Sequence, residues 1–178
     1  MTSSAPLAAM PVSLSAPPPT PSSAVRVGDA AVELATLRPA PQPRSAFRHF
    51  SSISTRWMDN DAYGHINNVV YYSYFDTVVN QYLIEAGALD IERSPLIGLV
   101  VETHCNYFSP LSFPQLVDVG LRVAQLGRTS VRYHIGLFAS GEPTTAAHGH
   151  FVHVYVDRVT RRPAELSPVL LQALQGLM

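Results

Sequence analysis

The chain has 178 residues, 47% of them hydrophobic, and a formal net charge of −1. That length suits one domain with a sizeable core, and the charge gives no reason to expect nucleic acid or an anionic membrane as a partner. No apolar run approaches the ~20 residues that cross a bilayer; all twelve cations are arginine, which leaves arginine as the one residue able to hold phosphate through charge.

Residues 1–25 carry no charged side chain and are rich in Ala, Ser and Pro. A secretory leader needs a basic start and an unbroken apolar centre. Prolines at 6, 11, 17, 18, 19 and 21 interrupt this stretch, and no arginine precedes Arg26. An organellar transit peptide would carry more arginine. Nine of the fifteen prolines fall before residue 46. Such a segment buries too little apolar surface to offset its ordering entropy. Residues 1–45 are therefore expected to be a largely disordered extension, with a brief strand or helical turn over 24–37. Residues 46–178 are expected to be the folded domain.

From residue 46 the pattern reads strand, helix, then strands. Phe47 to Trp57 suits a strand, and a polar loop over 58–67 follows it. Asn68 to Ala86 contains neither Pro nor Gly, and Gly87 offers a helix stop. The apolar positions of this helix cover nearly its whole circumference, so it is expected to be buried on most sides, with a sheet curled around it. Ile97, Leu99, Val101, Thr103, Cys105 and Tyr107 alternate as one face of a long strand. Strands are expected over 116–125, 131–139 and 145–157, with turns at 127–130 and 141–143. Short turns imply antiparallel pairing. Pro168 to Leu177 reads as a short C-terminal helix. One helix and a long antiparallel sheet make an α+β layout.

The single cysteine, Cys105, excludes an internal disulfide and fits a reducing, cytoplasmic compartment. Its apolar neighbours make it a buried structural thiol rather than a nucleophile. His148 and His150 share a strand face, while His153 faces away. Two histidines without a nearby carboxylate fall short of a metal site, so no metal is expected. No glycine-rich phosphate loop and no Gly-x-Ser-x-Gly elbow is present.

The most informative stretch is Asp59-Asn60-Asp61-Ala62-Tyr63-Gly64-His65-Ile66-Asn67-Asn68, running on into Val-Val-Tyr-Tyr-Ser-Tyr-Phe-Asp. It sets two carboxylates on a polar loop just before a helix start. Free N–H groups there can face an oxygen that gains negative charge. With Tyr107-Phe108-Ser109-Pro110 and Gly127-Arg128-Thr129-Ser130, the stretch resembles the hotdog-fold acyl-CoA thioesterases of the 4-hydroxybenzoyl-CoA thioesterase type over about residues 46–175.

The resemblance implies a sheet wrapped around the helix and a homodimer, or a dimer of dimers, with sheets paired edge to edge and active sites at the subunit interface. It implies hydrolysis of an acyl or aryl coenzyme A thioester with no cofactor. Asp61 takes the position of the catalytic carboxylate, as general base or as nucleophile, and the Asn68 backbone N–H takes that of the oxyanion donor. Gly64 serves either a plain turn or close approach to the thioester. His65 is expected to hold the loop through its imidazole, with substrate contact as the alternative, and Asn67 to cap the helix. Asp59 is expected to fix the loop, with a catalytic role in reserve, as for Asp76 on the helix. Arg128, Thr129, Ser130 and Tyr71 are the expected substrate or coenzyme A contacts. Arg158, Arg161 and Arg162 read as a solvated turn. Two other classes stay open: a hotdog enoyl-CoA hydratase or dehydratase using Asp61 and His65, and a non-catalytic acyl-CoA-binding domain.

Overall fold

The computed structural model describes residues 38–178. The expectations for residues 1–37, including a brief element at 24–37, lie outside these residues. The folded unit begins at Pro39 rather than at residue 46. Residues 40–46 are tied down along the turn between the last two strands. Arg44 N–H donates to Pro143 O, Thr145 N–H to Gln42 O, and Arg44 meets the Asp118 carboxylate at 3.2 Å.

Five strands form one antiparallel sheet: β1 (His49–Ser54), β2 (Leu96–Tyr107), β3 (Leu116–Leu126), β4 (Ser130–Ala139) and β5 (Ala147–Asp157), in the order β1-β3-β4-β5-β2. Helix α1 (Asn68–Glu85) lies between β1 and β2 in the chain, and α2 (Pro168–Gln175) closes it. This is the hotdog arrangement, an α+β fold with one long helix against one sheet.

Helix α1 starts where Asn67 Oδ1 accepts from Val69 N–H at 3.1 Å. It stops at Gly87, whose φ of +67° favours glycine. Tyr71, Tyr74, Phe75, Val78, Val79 and Leu83 pack into the sheet-facing core with Val119, Leu121, Tyr133, Ile135 and Phe151. The helix is not covered on most sides within one protomer. Val69 is 64% exposed and Ser73, Asp76 and Thr77 are also open, because the sheet meets one face only. Helix α2 is capped by Ser167, with Pro168 in its first turn. It buries Leu170 and Leu174, and Tyr82 of α1 donates to Ala173 O at 2.7 Å.

Strand β2 departs from simple alternation. Its pairing with β5 slips between Val100 and Glu102, a bulge at Val101. Before the bulge, Gly98 and Val100 oppose the core residues Tyr155 and His153. After it, Thr103, Cys105 and Tyr107 oppose Phe151, Gly149 and Ala147. Ile97, Leu99 and Thr103 therefore do not share a face. One extra residue moves every side chain beyond it to the other side. β2 is also a sheet edge, and Val100 and Val101 are 46% and 60% exposed.

Candidate active site

The loop ahead of α1 is built on Asp59. Its carboxylate is 1% exposed. Oδ1 accepts from Arg56 Nε and Nη2 at 3.0 and 2.8 Å, and Oδ2 from Arg56 N–H and the Tyr74 hydroxyl, both at 2.7 Å. Burial alone pushes this carboxyl up, but the bonds from Arg56 and Tyr74 outweigh it and hold the group below its ordinary value. Asp59 O also accepts from Asn67 N–H at 2.8 Å, which fixes the helix start to the same anchor. Both carboxylate oxygens are engaged, so Asp59 is a scaffold group in this geometry.

Asp61 sits on the turn above that anchor and is partly exposed. Its Oδ1 accepts from Tyr63 N–H at 2.8 Å and more weakly from His65 N–H at 3.4 Å. Among the described residues, Oδ2 is bonded to none. Gly64, at φ +79°, closes the turn and donates its N–H to Asp61 O at 3.1 Å. A side chain at that φ would be strained. His65 holds the loop through its backbone, its O accepting from Asp61 N–H at 2.8 Å. Its imidazole makes no hydrogen bond among the described residues, which corrects the expected imidazole tether.

The first turn of α1 leaves the Asn68 amide over. Val69 N–H is taken by Asn67 Oδ1, Val70 N–H by Asn67 O, and Asn67 N–H by Asp59 O. No acceptor among the described residues takes the Asn68 N–H. Asp61, His65, Asn68 and Tyr71 line one open cleft of about 420 Å³ with Ile66, Tyr107, Phe108, Ser109 and Pro110. Tyr71 and Tyr107 meet edge to face, 5.0 Å between centroids, and the Tyr107 hydroxyl donates to Asn68 O at 3.3 Å. Burial pushes the Tyr71 phenol up. The Tyr107–Pro110 wall was not among the expected site residues. Its sequence signal was the Tyr-Phe-Ser-Pro match itself, which sequence alone does not place beside the helix start.

The remaining expected residues lie elsewhere. Arg128, Thr129 and Ser130 form the β3–β4 turn and do not line this cleft within one protomer. Arg128 pairs with Glu165 at 2.9 Å, and Thr129 O accepts from Tyr155 N–H. The turn abuts the end of β5, Ser130 opposing Val154, whereas the cleft abuts its beginning, Tyr107 opposing Ala147. Asp76 is exposed on α1 and accepts from Asn80 Nδ2 at 3.1 Å. Arg158 is no free turn charge, since it donates to Ser94 O and Ile91 O at 2.7 and 2.8 Å. Cys105 is half-buried, with its thiol pushed up to about 11 by burial. His148 reaches Ala40 O at 3.0 Å and His150 the Glu102 carboxylate at 2.7 Å, both on the outer sheet face. Among the described residues no cluster of three or more His, Cys, Asp or Glu could hold a metal.

A family model described as the thioesterase-like superfamily matches residues 55–174, from just after β1 into the last turn of α2. The chain belongs to the thioesterase-like superfamily. The crystal structure of the PA5185 protein from Pseudomonas aeruginosa is similar at 51% identity, covering 78% of this chain and 97% of that one, with a TM-score of 0.77. PA2801, a putative thioesterase from Pseudomonas aeruginosa, is 27% identical over 72% of this chain and 98% of its own, TM-score 0.67. Slr0204, a 1,4-dihydroxy-2-naphthoyl-CoA thioesterase from Synechocystis, shares the fold at 14% identity, covering 72% of this chain and 96% of its own, TM-score 0.65. Membership in this superfamily favours thioester hydrolysis over the other two classes.

Proposed function

We infer that this thioesterase-like protein hydrolyses an acyl or aryl coenzyme A thioester, with Asp61 as general base. One observation carries the reading. A carboxylate with one oxygen clamped to its own loop and the other unpartnered among the described residues shares a cleft with the untaken Asn68 amide at the α1 start. Asp61 Oδ2 takes a proton from water as the water oxygen bonds to the thioester carbonyl carbon. The carbonyl oxygen gains charge and is met by the Asn68 N–H, a kind of donor typically worth about 2.7–4 kcal/mol in the transition state. Collapse breaks the C–S bond, and the proton on Asp61 passes to the leaving sulfur. Asp61 is partly exposed and reachable by water, which favours the base over the nucleophile.

The active unit in this reading is a homodimer joined through β2. That edge carries exposed apolar residues along its centre and offers unpaired backbone groups to a second copy. Arg128, Thr129 and Ser130 then serve coenzyme A from the partner's side of the seam.

Asp61→Asn tests the reaction. Asparagine keeps an acceptor oxygen for Tyr63 N–H and His65 N–H, so the loop and the melting temperature stay as they are. Loss of the base lowers thiol release by about 10²–10⁴-fold. Wild-type turnover by this variant overturns the assignment. On crotonyl-CoA the protein releases thiol without prior loss of the enoyl absorbance; the reverse order marks a hydratase.

A further inference from the structure

The structure contains a second cavity, of about 450 Å³, at the other end of α1. The Asp61 cleft uses the first turn of that helix, at Asn68 and Tyr71. This cavity uses its last turns and the loop beyond, with Leu83 and Leu89, the start of β2 at Ile97, and Leu170 of α2. A helix of 18 residues spans about 27 Å, so the two are distinct sites within one protomer. The volume falls in the range of small-molecule pockets, about 300–1,000 Å³.

The cavity is lined mainly by apolar side chains, with His153 and Tyr155 from β5 in its wall. His153 is 3% exposed, and its Nε2 is enclosed with no hydrogen-bond partner among the described residues. A buried polar nitrogen left without a partner destabilises the fold, so a hydrogen-bonding group from outside the chain would recover that loss. Burial pushes the imidazole down to about 4, leaving it neutral at pH 7. The Tyr155 hydroxyl is already paired with Tyr133 at 2.8 Å. Arg158, which also lines the cavity, is spent on the Ser94 and Ile91 carbonyls. Gly98 keeps the wall open beside His153, since a Cβ there would lie 2.9 Å from His153 Nδ1.

In the β2-joined dimer of the proposed function, a two-fold axis through the middle of β2 would pair the strand with its own copy, antiparallel, and full overlap of its twelve residues would set Leu96 opposite the partner's Tyr107. Leu96 in the cavity wall would then lie one strand spacing, about 4.8 Å, from the partner's Tyr107 in the wall of the partner's cleft.

We propose that this cavity receives the acyl end of a thioester whose carbonyl is held at the partner's Asp61 cleft, and that it selects an uncharged, mainly apolar acyl or aryl group bearing one hydrogen-bonding oxygen, which His153 engages. The proposal rests on the thioesterase reading and on the β2-joined dimer.

Ile91 and Val169 line the cavity from exposed positions, so Ile91→Trp and Val169→Trp fill it with little effect on the fold. Each lowers kcat/KM for decanoyl-CoA and benzoyl-CoA by about 10-fold or more and spares acetyl-CoA. A co-expressed, differently tagged heterodimer of one Asp61→Asn subunit and one Ile91→Trp subunit has one intact site of two, so it recovers about half of wild-type activity on benzoyl-CoA. No recovery places cavity and base in the same protomer and overturns the proposal. Equal loss on all three substrates, or on none, does the same. On otherwise wild-type protein, the imidazole 15N shifts of His153 move with 4-hydroxybenzoate and not with benzoate; identical behaviour with both overturns the role of His153. Failure of the base reading is separate, since Asp61→Asn alone would then turn over normally, while the 15N experiment reads the cavity without turnover.

Discussion

Asp59→Asn separates scaffold from chemistry. The substitution is nearly isosteric, so its effect comes from charge and hydrogen bonding. With the asparagine oxygen in the Oδ2 position, Arg56 N–H and the Tyr74 hydroxyl keep an acceptor. Both bonds lose the ionised partner, at about 1 kcal/mol each. The new amide then faces the Arg56 guanidinium, donor against donor. Arg56 is 61% exposed and swings into water, so its loss counts for little. The enclosed amide hydrogens have no such exit and cost about 1–3 kcal/mol. The total is about 3–5 kcal/mol, a fall in Tm of about 10–15 °C for a domain of this size. The acid limb of the stability curve also flattens. The Asp59 carboxyl is held below its ordinary 3.8, so it stabilises above that pH and the benefit is lost as pH falls through the lowered value. Thermal melts of wild type, Asp59→Asn and Asp61→Asn read both effects. Asp61→Asn melting with wild type while Asp59→Asn falls is the expected result. An Asp59→Asn melt within about 2 °C of wild type would refute the reasoning.

His134 and His153 are both pushed down to about 4 by burial; stability is complete above the unfolded value of 6.5 and falls below it, by up to about 1.4 kcal/mol per pH unit for each histidine, and denaturant midpoints between pH 7 and 4 check this. Paired Lys substitutions at Val100 and Val101 place charge on the exposed edge and give monomers in sedimentation, with thiol release lost alongside. Single turnover in 18O-labelled water puts the label in the product acid if Asp61 is a base, and a product free of label marks a nucleophile.

The ends of α1 were legible because they rest on local chemistry: Asn67 supplies the cap and Gly87 the left-handed stop. The five strands and two helices follow the sequence pattern closely, down to the turn at 127–130. The bulge at Val101 left no mark, since it arises from pairing with β5 rather than from side-chain alternation. The face of His153 followed from strand period, but its cavity did not, because three elements distant in sequence enclose it. Asp59 read as a loop anchor; its bond to Tyr74 joins residues that only the folded loop and helix bring together. The separation of Arg128 from Asp61 has the same origin, as sheet topology sends the β3–β4 turn to the far end of β5.

The proposed reaction sets free a thiol at every turnover, a short way along β2 from the protein's own sulfur. Cys105 lies two residues before Tyr107, and its Sγ leans on Asn106 O at 3.8 Å. Held at about 11 by burial, it is ionised at pH 7 in about one molecule in 10,000. A half-buried thiol so rarely ionised is a slow partner in thiol–disulfide exchange.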